Sequence, residues 1–329
     1  MFNPLKYFRN RSVGLVLGSG GAKGLAHISV IEYLLSMNIP LNMIAGSSIG
    51  AVVASVYCCG KLDEFKEDML SFSQKKMLSY FDITIPRSGL IKGNGFIKLM
   101  KKYIPVDANI EDLGTPLAIV ATDYLTGQPV IFKSGNILEA LRASVSIPGI
   151  LVPVSYNDTF LLDGGVARPL PIDVVREMGA GIVIAVNLHP LEKKKSFKSL
   201  IKMKGEGDKD SLKSDTLKTV KLGEKILIPA EKKIKGWYTT IEQWLGSDKT
   251  GDSVKFPNIF EVLSQSIDIM SDINTERTLR FHKPAVIIEP LLWDVSTLDF
   301  VKSSRIITEG YYACSRAKKN LNRRVKLWI

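Results

Sequence analysis

Two glycine-rich turns in the first fifth of the chain constrain its fold more than any other feature. They are Gly18-Ser-Gly-Gly-Ala-Lys-Gly24 and Gly46-Ser-Ser-Ile-Gly50, and Asp163-Gly-Gly165 answers them much later. Each of the first two stands between a short apolar run and a stretch with helical spacing. Ser12-Val-Gly-Leu-Val-Leu17 reads as a buried parallel strand and Leu25-Ala-His-Ile-Ser-Val-Ile-Glu-Tyr-Leu-Leu35 as the helix after it. Leu41-Asn-Met-Ile-Ala45 and Ala51-Val-Val-Ala-Ser-Val-Tyr57 repeat the arrangement around the second turn. A chain that alternates strand, bare turn and helix builds an α/β fold. We expect a mostly parallel central sheet with helices on both faces, because the alternation runs from residue 12 to 188.

The second turn has the form G-x-S-x-G with Ser48 at its centre, which is the context of a nucleophile elbow. Gly46 and Gly50 relieve the crowding of a strand that reverses into a helix, so the hydroxyl can stand at the helix N-terminus. The five-residue pattern also recurs in ordinary tight turns. In the first turn, backbone N–H groups around Gly20 and Gly21 are free of side chains and lie along a helix dipole, an arrangement that favours negative charge. A P-loop would need Ser or Thr after Lys23, where Gly24 stands. A dinucleotide fingerprint would need its third glycine at Lys23 and an acidic residue about twenty positions on. Asp163 closes the run Thr159-Phe-Leu-Leu162 and would sit at a strand end with bare backbone at Gly164 and Gly165. The three histidines, His27, His189 and His282, have no partnering motif. A Ser-Asp dyad needs none of them, while His189 or His282 would complete the chain order Ser…Asp…His of an α/β-hydrolase triad. His27 reads as a packed helix residue.

Five ordered blocks together carry a resemblance. They are Gly14-Leu-Val-Leu-Gly-Ser-Gly-Gly-Ala-Lys-Gly-Leu-Ala-His27, the turn at Ser48, Ala121-Thr-Asp-Tyr-Leu-Thr-Gly127, Arg142-Ala-Ser-Val-Ser-Ile-Pro-Gly149, and Leu162-Asp-Gly-Gly-Val166 through Asn187. The chain resembles the bacterial patatin-like phospholipases, in the branch related to neuropathy-target-esterase catalytic domains. The resemblance implies a nucleophile at Ser48, a general base at Asp163 and an oxyanion hole at Gly20 and Gly21. Gly18, Lys23, Gly24, Gly46, Gly50, Gly164, Gly165 and Arg142 are supporting motif positions; Arg142 has either a structural or a substrate-orienting role. Ser19 departs from the family pattern, where glycine is usual; a positive φ there would strain the loop. The implied activity is hydrolysis of phospholipid or lysophospholipid esters through an acyl-enzyme, with no metal or cofactor. A lipid-binding scaffold with little turnover is the alternative from another class.

The 329 residues suffice for one large domain, 1–329, in which 191–255 reads as a basic insertion and 311–329 as a basic tail. The net charge of +11 is concentrated there: residues 191–260 carry sixteen Lys against ten acids, and 311–329 carry six Lys or Arg and no acid. Lysines interleaved with Trp237, Tyr238 and Trp244 suit an anionic bilayer surface. Nucleic acid would attract the same charge, but no nucleic-acid module is recognisable and no such partner is expected. Tyr33 to Gly60 is free of charge, yet Pro40, Asn42, Gly46 and Gly50 break it, so it reads as helix end, strand and helix rather than a membrane span. The first eleven residues lack the apolar stretch of a signal peptide, and three cysteines without framework spacing give no disulfide scaffold. Both features favour a cytoplasmic location, and the basic insertion and tail favour peripheral association with the inner face of the membrane. Asp63-Glu-Phe-Lys-Glu-Asp-Met-Leu70 and Phe96-Ile-Lys-Leu-Met-Lys-Lys-Tyr103 are amphipathic in outline and read either as wall or cap helices near the Ser48 turn, offering apolar surface to an acyl chain, or as plain packing helices.

Overall fold

The computed structural model describes residues 11–71, 91–190 and 259–327. The chain divides into two units, Met1–Pro190 with Leu263–Ile329, and Leu191–Val262. Of the second unit only the first turn of a helix is described, at 259–262. The expected insertion at 191–255 therefore lies outside the described residues.

In chain order the elements are β1 (Val13–Leu17), α1 (Ala26–Ser36), β2 (Met43–Ser47), α2 (Ile49–Cys58), α3 (Leu62–Leu70), α4 (Asn94–Met100), β3 (Leu117–Asp123), β4 (Pro129–Phe132), α5 (Ile137–Ser144), β5 (Val154–Tyr156), β6 (Thr159–Asp163), the single turn α6 (Gly164–Ala167), α7 (Ile172–Glu177), β7 (Ile182–Val186), α8 (Ile259–Phe281), β8 (Val286–Ile288) and α9 (Ser303–Leu321). The sheet runs β5-β6-β3-β2-β1-β7-β8, with β4 also on β3. Its centre, β3-β2-β1-β7-β8, is parallel; β4, β5 and β6 add antiparallel pairings at one side.

Strand periodicity sorts the core into two layers. Leu15 and Leu17 of β1, Ile44 of β2, Ile119 of β3 and Ile184 of β7 share one apolar layer with α1, α2 and α9. Val16, Ala45, Ala118, Val120 and Ala185 face the other layer with Val174 and Val175 of α7. Both faces are covered, which is why these strands read as continuous apolar runs. β8 extends the parallel sheet by pairing with β7. The basic tail forms the end of α9 and a π-helical turn, Asn322–Lys326: Ala317, Leu321 and Val325 are buried while Lys318, Lys319, Arg323, Arg324 and Lys326 are exposed.

Candidate active site

Ser48 is the only residue between the end of β2 at Ser47 and the start of α2 at Ile49. To reverse the chain there it adopts φ 55° and ψ −124°, a backbone state that side chains rarely occupy. The reversal is possible because α2 begins directly against the end of β1. A Cβ on Gly50 would stand 2.1 Å from the Leu17 carbonyl oxygen. The Ser48 N–H donates to Ser144 Oγ at 2.9 Å, and Ser144 donates onward to the Val120 carbonyl at 2.6 Å.

Strand register brings Asp163 to this turn. Ser47 of β2 lies opposite Val120 of β3, and Asp163 of β6 lies opposite Ala121, the next residue along β3; β4 takes the other edge at both positions, so β2 and β6 follow one another along a single edge. Residues along a strand are about 3.3 Å apart, so the C-terminal ends of parallel β2 and antiparallel β6 converge on that edge, and the serine just past one meets the aspartate that ends the other. Ser48 Oγ donates to Asp163 Oδ2 at 2.5 Å. The other carboxylate oxygen, Oδ1, accepts the Gly165 N–H at 2.7 Å. The backbone of Asp163 is pinned by its N–H to the Ser146 carbonyl and by Thr122 Oγ1 on its own carbonyl. Burial pushes the carboxyl up to about 6, against the pull of its bonds with Ser48 and Gly165.

The first glycine-rich turn lies beside them. Gly18, Ser19 and Ala22 give their N–H groups to the carbonyls of Val186, Pro169 and Thr297. Among the described residues, the amides of Gly20 and Gly21 take no backbone partner. Their φ values are 154° and 56°, and both residues line the same small space as Ser48 and Asp163. Ser19 keeps a negative φ, so the strain foreseen for it does not arise; its hydroxyl packs against Gly165. His27 is fully buried, and its Nε2 donates to the Gly18 carbonyl at 2.8 Å; burial lowers its pKa to about 4, so the ring is neutral. Gly24 packs under Ile49 of α2. Lys23 is half-buried and is not among the residues lining the spaces at Ser48.

Among the described residues, Ser48 lines two spaces. One is an apolar cavity of about 160 Å³. It is walled by Phe65 and Met69 of α3, Phe96 and Leu99 of α4, and Ile147 and Leu151 after α5, with Gly21 and Ser48 also on its lining. The amphipathic stretches at 63–70 and 96–103 thus supply its wall, through α3 and α4. The other, about 30 Å³, has the polar side chains of Ser19, Asp163, His189, Asp268 and Ser271 around it, with Ile147 and Ile267. Arg142 is the brace of the apolar wall. Its guanidinium donates to Ser146 Oγ at 2.7 Å, to the Val152 carbonyl at 2.7 Å and to the Lys92 carbonyl at 2.5 Å. The triad geometry with a histidine is not what Ser48 adopts: its hydroxyl is taken by Asp163, His189 Nδ1 pairs with Asp272, and His282 lines neither space.

Residues 15–176 match the patatin-like phospholipase family. The chain carries a patatin-like phospholipase domain. Among curated proteins, an uncharacterized NTE family protein of Mycobacterium tuberculosis is 39% identical over 180 residues, covering 55% of this chain and 50% of its own. Neuropathy target esterase sws of Drosophila melanogaster is 32% identical over 189 residues, 56% of this chain and 13% of its own. Patatin-like phospholipase domain-containing protein 6 of Homo sapiens is 26% identical over 306 residues, 91% of this chain and 20% of its own. The patatin-like chain therefore spans half the length of the mycobacterial relative and a fifth or less of the animal ones.

Sequence reasoning singled out the residues at the centre of this site and missed their supports. Ser144 and Ser146 lie in the quoted Arg142–Gly149 block and were readable there as a group. Thr297, whose carbonyl holds the Ala22 amide, and Asp272, which pairs with His189, lie in segments without any motif.

Proposed function

We propose that the patatin-like domain is a serine acyl hydrolase that cleaves the carboxylic esters of phospholipids or lysophospholipids through Ser48 and Asp163. The observation that carries this reading is the 2.5 Å bond from Ser48 Oγ to the buried Asp163 carboxylate, placed where an apolar cavity opens. Asp163 accepts the serine proton, Oγ bonds to the ester carbonyl carbon, and the alcohol leaves; water then releases the acyl group. A carboxylate of ordinary pKa, about 3.9, is a weak base for a hydroxyl. Burial raises Asp163 to about 6 and narrows that gap. The unpartnered amides of Gly20 and Gly21 would hold the oxyanion, with the acyl chain in the cavity behind α3 and α4. None of these steps needs a metal or cofactor.

The proposal extends to the surface. The exposed basic face at the end of α9, with the lysine-rich segment 191–255 within one hydrolase domain, would meet an anionic lipid surface on the cytoplasmic side. Among the described residues no helix is long and apolar enough to cross a membrane.

The test is hydrolysis of lysophospholipid and of a p-nitrophenyl ester by the wild type, Ser48→Ala and Asp163→Asn, with folding followed by circular dichroism. Loss of at least about 10³-fold in both folded variants is expected. Survival of turnover in either overturns its role, and lipid binding by an inactive wild type would favour a non-hydrolytic scaffold.

A further inference from the structure

The smaller space beside Ser48 is lined by His189, whose pairing with Asp272 the serine–aspartate reading does not use. His189 is buried, 7% exposed, and its Nδ1 lies 3.2 Å from Asp272 Oδ1 on α8. The backbone of His189 is fixed on both sides by Asn187: the His189 N–H donates to Asn187 Oδ1, and Asn187 Nδ2 donates to the His189 carbonyl and to Glu289. The other ring nitrogen is turned to the oxyanion turn. A Cβ on Gly20 would stand 3.6 Å from His189 Nε2. The same space is lined by Ser48 and Asp163.

The two spaces around Ser48 divide an ester between them. The acyl chain suits the larger apolar cavity, which leaves the smaller space, with Ser19, Asp163 and His189 on it, for the alcohol oxygen that departs and for the water that replaces it. A carboxylate on Nδ1 fixes the ring orientation and leaves Nε2 to exchange a proton. We propose that His189, positioned by Asp272, is the second proton carrier of the site. It serves the oxygen on the far side of the scissile carbon while Asp163 serves Ser48, and so it rests on the dyad reading.

The proton ledger closes. In acylation the Ser48 proton passes to Asp163, the Oγ–carbon bond forms, and the bond from that carbon to the alcohol oxygen breaks as the His189 imidazolium gives its Nε2 proton to the oxygen. In deacylation the water oxygen bonds to the same carbon and its proton returns to Nε2. The carbon–Oγ bond then breaks as Asp163 gives its proton back to Ser48. Ester and water become acid and alcohol, and both carriers end as they began.

The experiment exploits leaving groups. p-Nitrophenolate departs without a proton, whereas the glycerol oxygen of a lysophospholipid needs one. His189→Gln should give a full burst of p-nitrophenol, one per enzyme, followed by a steady state slowed about 10²-fold or more. Intact-protein mass should show the acyl adduct on that substrate. With lysophospholipid the same variant should lose turnover by a similar factor and show no adduct. Asp272→Asn should show the same pattern in weaker form, and it guards against a folding defect at the more buried histidine. A burst and steady state that slow together by one factor would mean a packing role and overturn the proposal, as would turnover of both substrates at the wild-type rate. Those results with Ser48→Ala inactive leave the dyad standing and remove only His189; activity persisting in Ser48→Ala removes both.

Discussion

The two glycine-rich turns of the first half share one layout and solve opposite problems. Each carries a buried parallel strand into a helix, β1 towards α1 and β2 into α2. In the first, the unusual backbone falls on Gly20 and Gly21, with φ of 154° and 56°, and the turn presents bare amides. In the second it falls on Ser48, with φ of 55°, and the turn presents a side chain. A turn that offers backbone N–H groups can place glycine wherever φ is positive. One that offers a hydroxyl must hold an L side chain there and carries the strain, which neighbouring contacts have to offset. Close packing against β1 through Gly50, the bond from the Ser48 N–H to Ser144 and the bond from its hydroxyl to Asp163 are those contacts.

The largest expected break in this comparison is Gly21→Ala. A Cβ at Gly21 would lie 2.2 Å from the Thr297 carbonyl oxygen, and its φ of 56° is unfavourable for alanine. The amide would have to move, with the Ala22–Thr297 bond beside it. Loss of one oxyanion donor lowers turnover by about 10²–10³-fold. Steady-state kinetics on a p-nitrophenyl ester should show that fall mainly in kcat. An unchanged kcat would mean that the first turn does not hold the oxyanion.

The central parallel strands and both turns were legible because their constraints are local. A strand buried on both faces writes itself as an apolar run, and a turn without room for Cβ writes itself as glycine. What brings Asp163 to Ser48 is not local. It depends on β6 running antiparallel beside β3 so that Asp163 pairs with Ala121, and no residue within Thr159–Asp163 states that direction. Arg142 illustrates the same limit: its motif was visible, but its three acceptors sit on segments 10 to 50 residues away or on its own following turn. Asp272 is one polar residue in the 23-residue helix α8, and only the fold makes it the partner of His189.

Asp163→Asn sharpens the comparison through stability rather than rate. The folded carboxyl, at about 6, binds its proton more tightly than the unfolded one, near the ordinary aspartate value. Stability from this group is therefore present below about pH 4 and is lost as pH rises through about 6. Asparagine removes that dependence. The variant should melt higher than the wild type at pH 7, by on the order of 2–3 kcal/mol, with the gap closing towards pH 4. Scanning calorimetry at the two pH values decides it: a gap that widens on acidification would mean the carboxylate is stabilised, not strained, by its burial.

The smallest expected effect isolates the backbone of the second turn. Ser48→Ala removes the hydroxyl but keeps Cβ at φ 55°, ψ −124°, while Ser48→Gly removes both. A residue held in such a state costs on the order of 1–3 kcal/mol, and glycine gives back part of the relief through its larger loss of chain entropy. Ser48→Gly should thus be the more stable of the two inactive variants by about 1 kcal/mol, measured by denaturant midpoint at constant slope. Equal stability would mean that α2 relaxes around the turn, and the contrast drawn between a bare turn and a strained one would lose its energetic basis. A clear gain for glycine would place the strain at the residue that carries the hydroxyl, where the first turn has none to store.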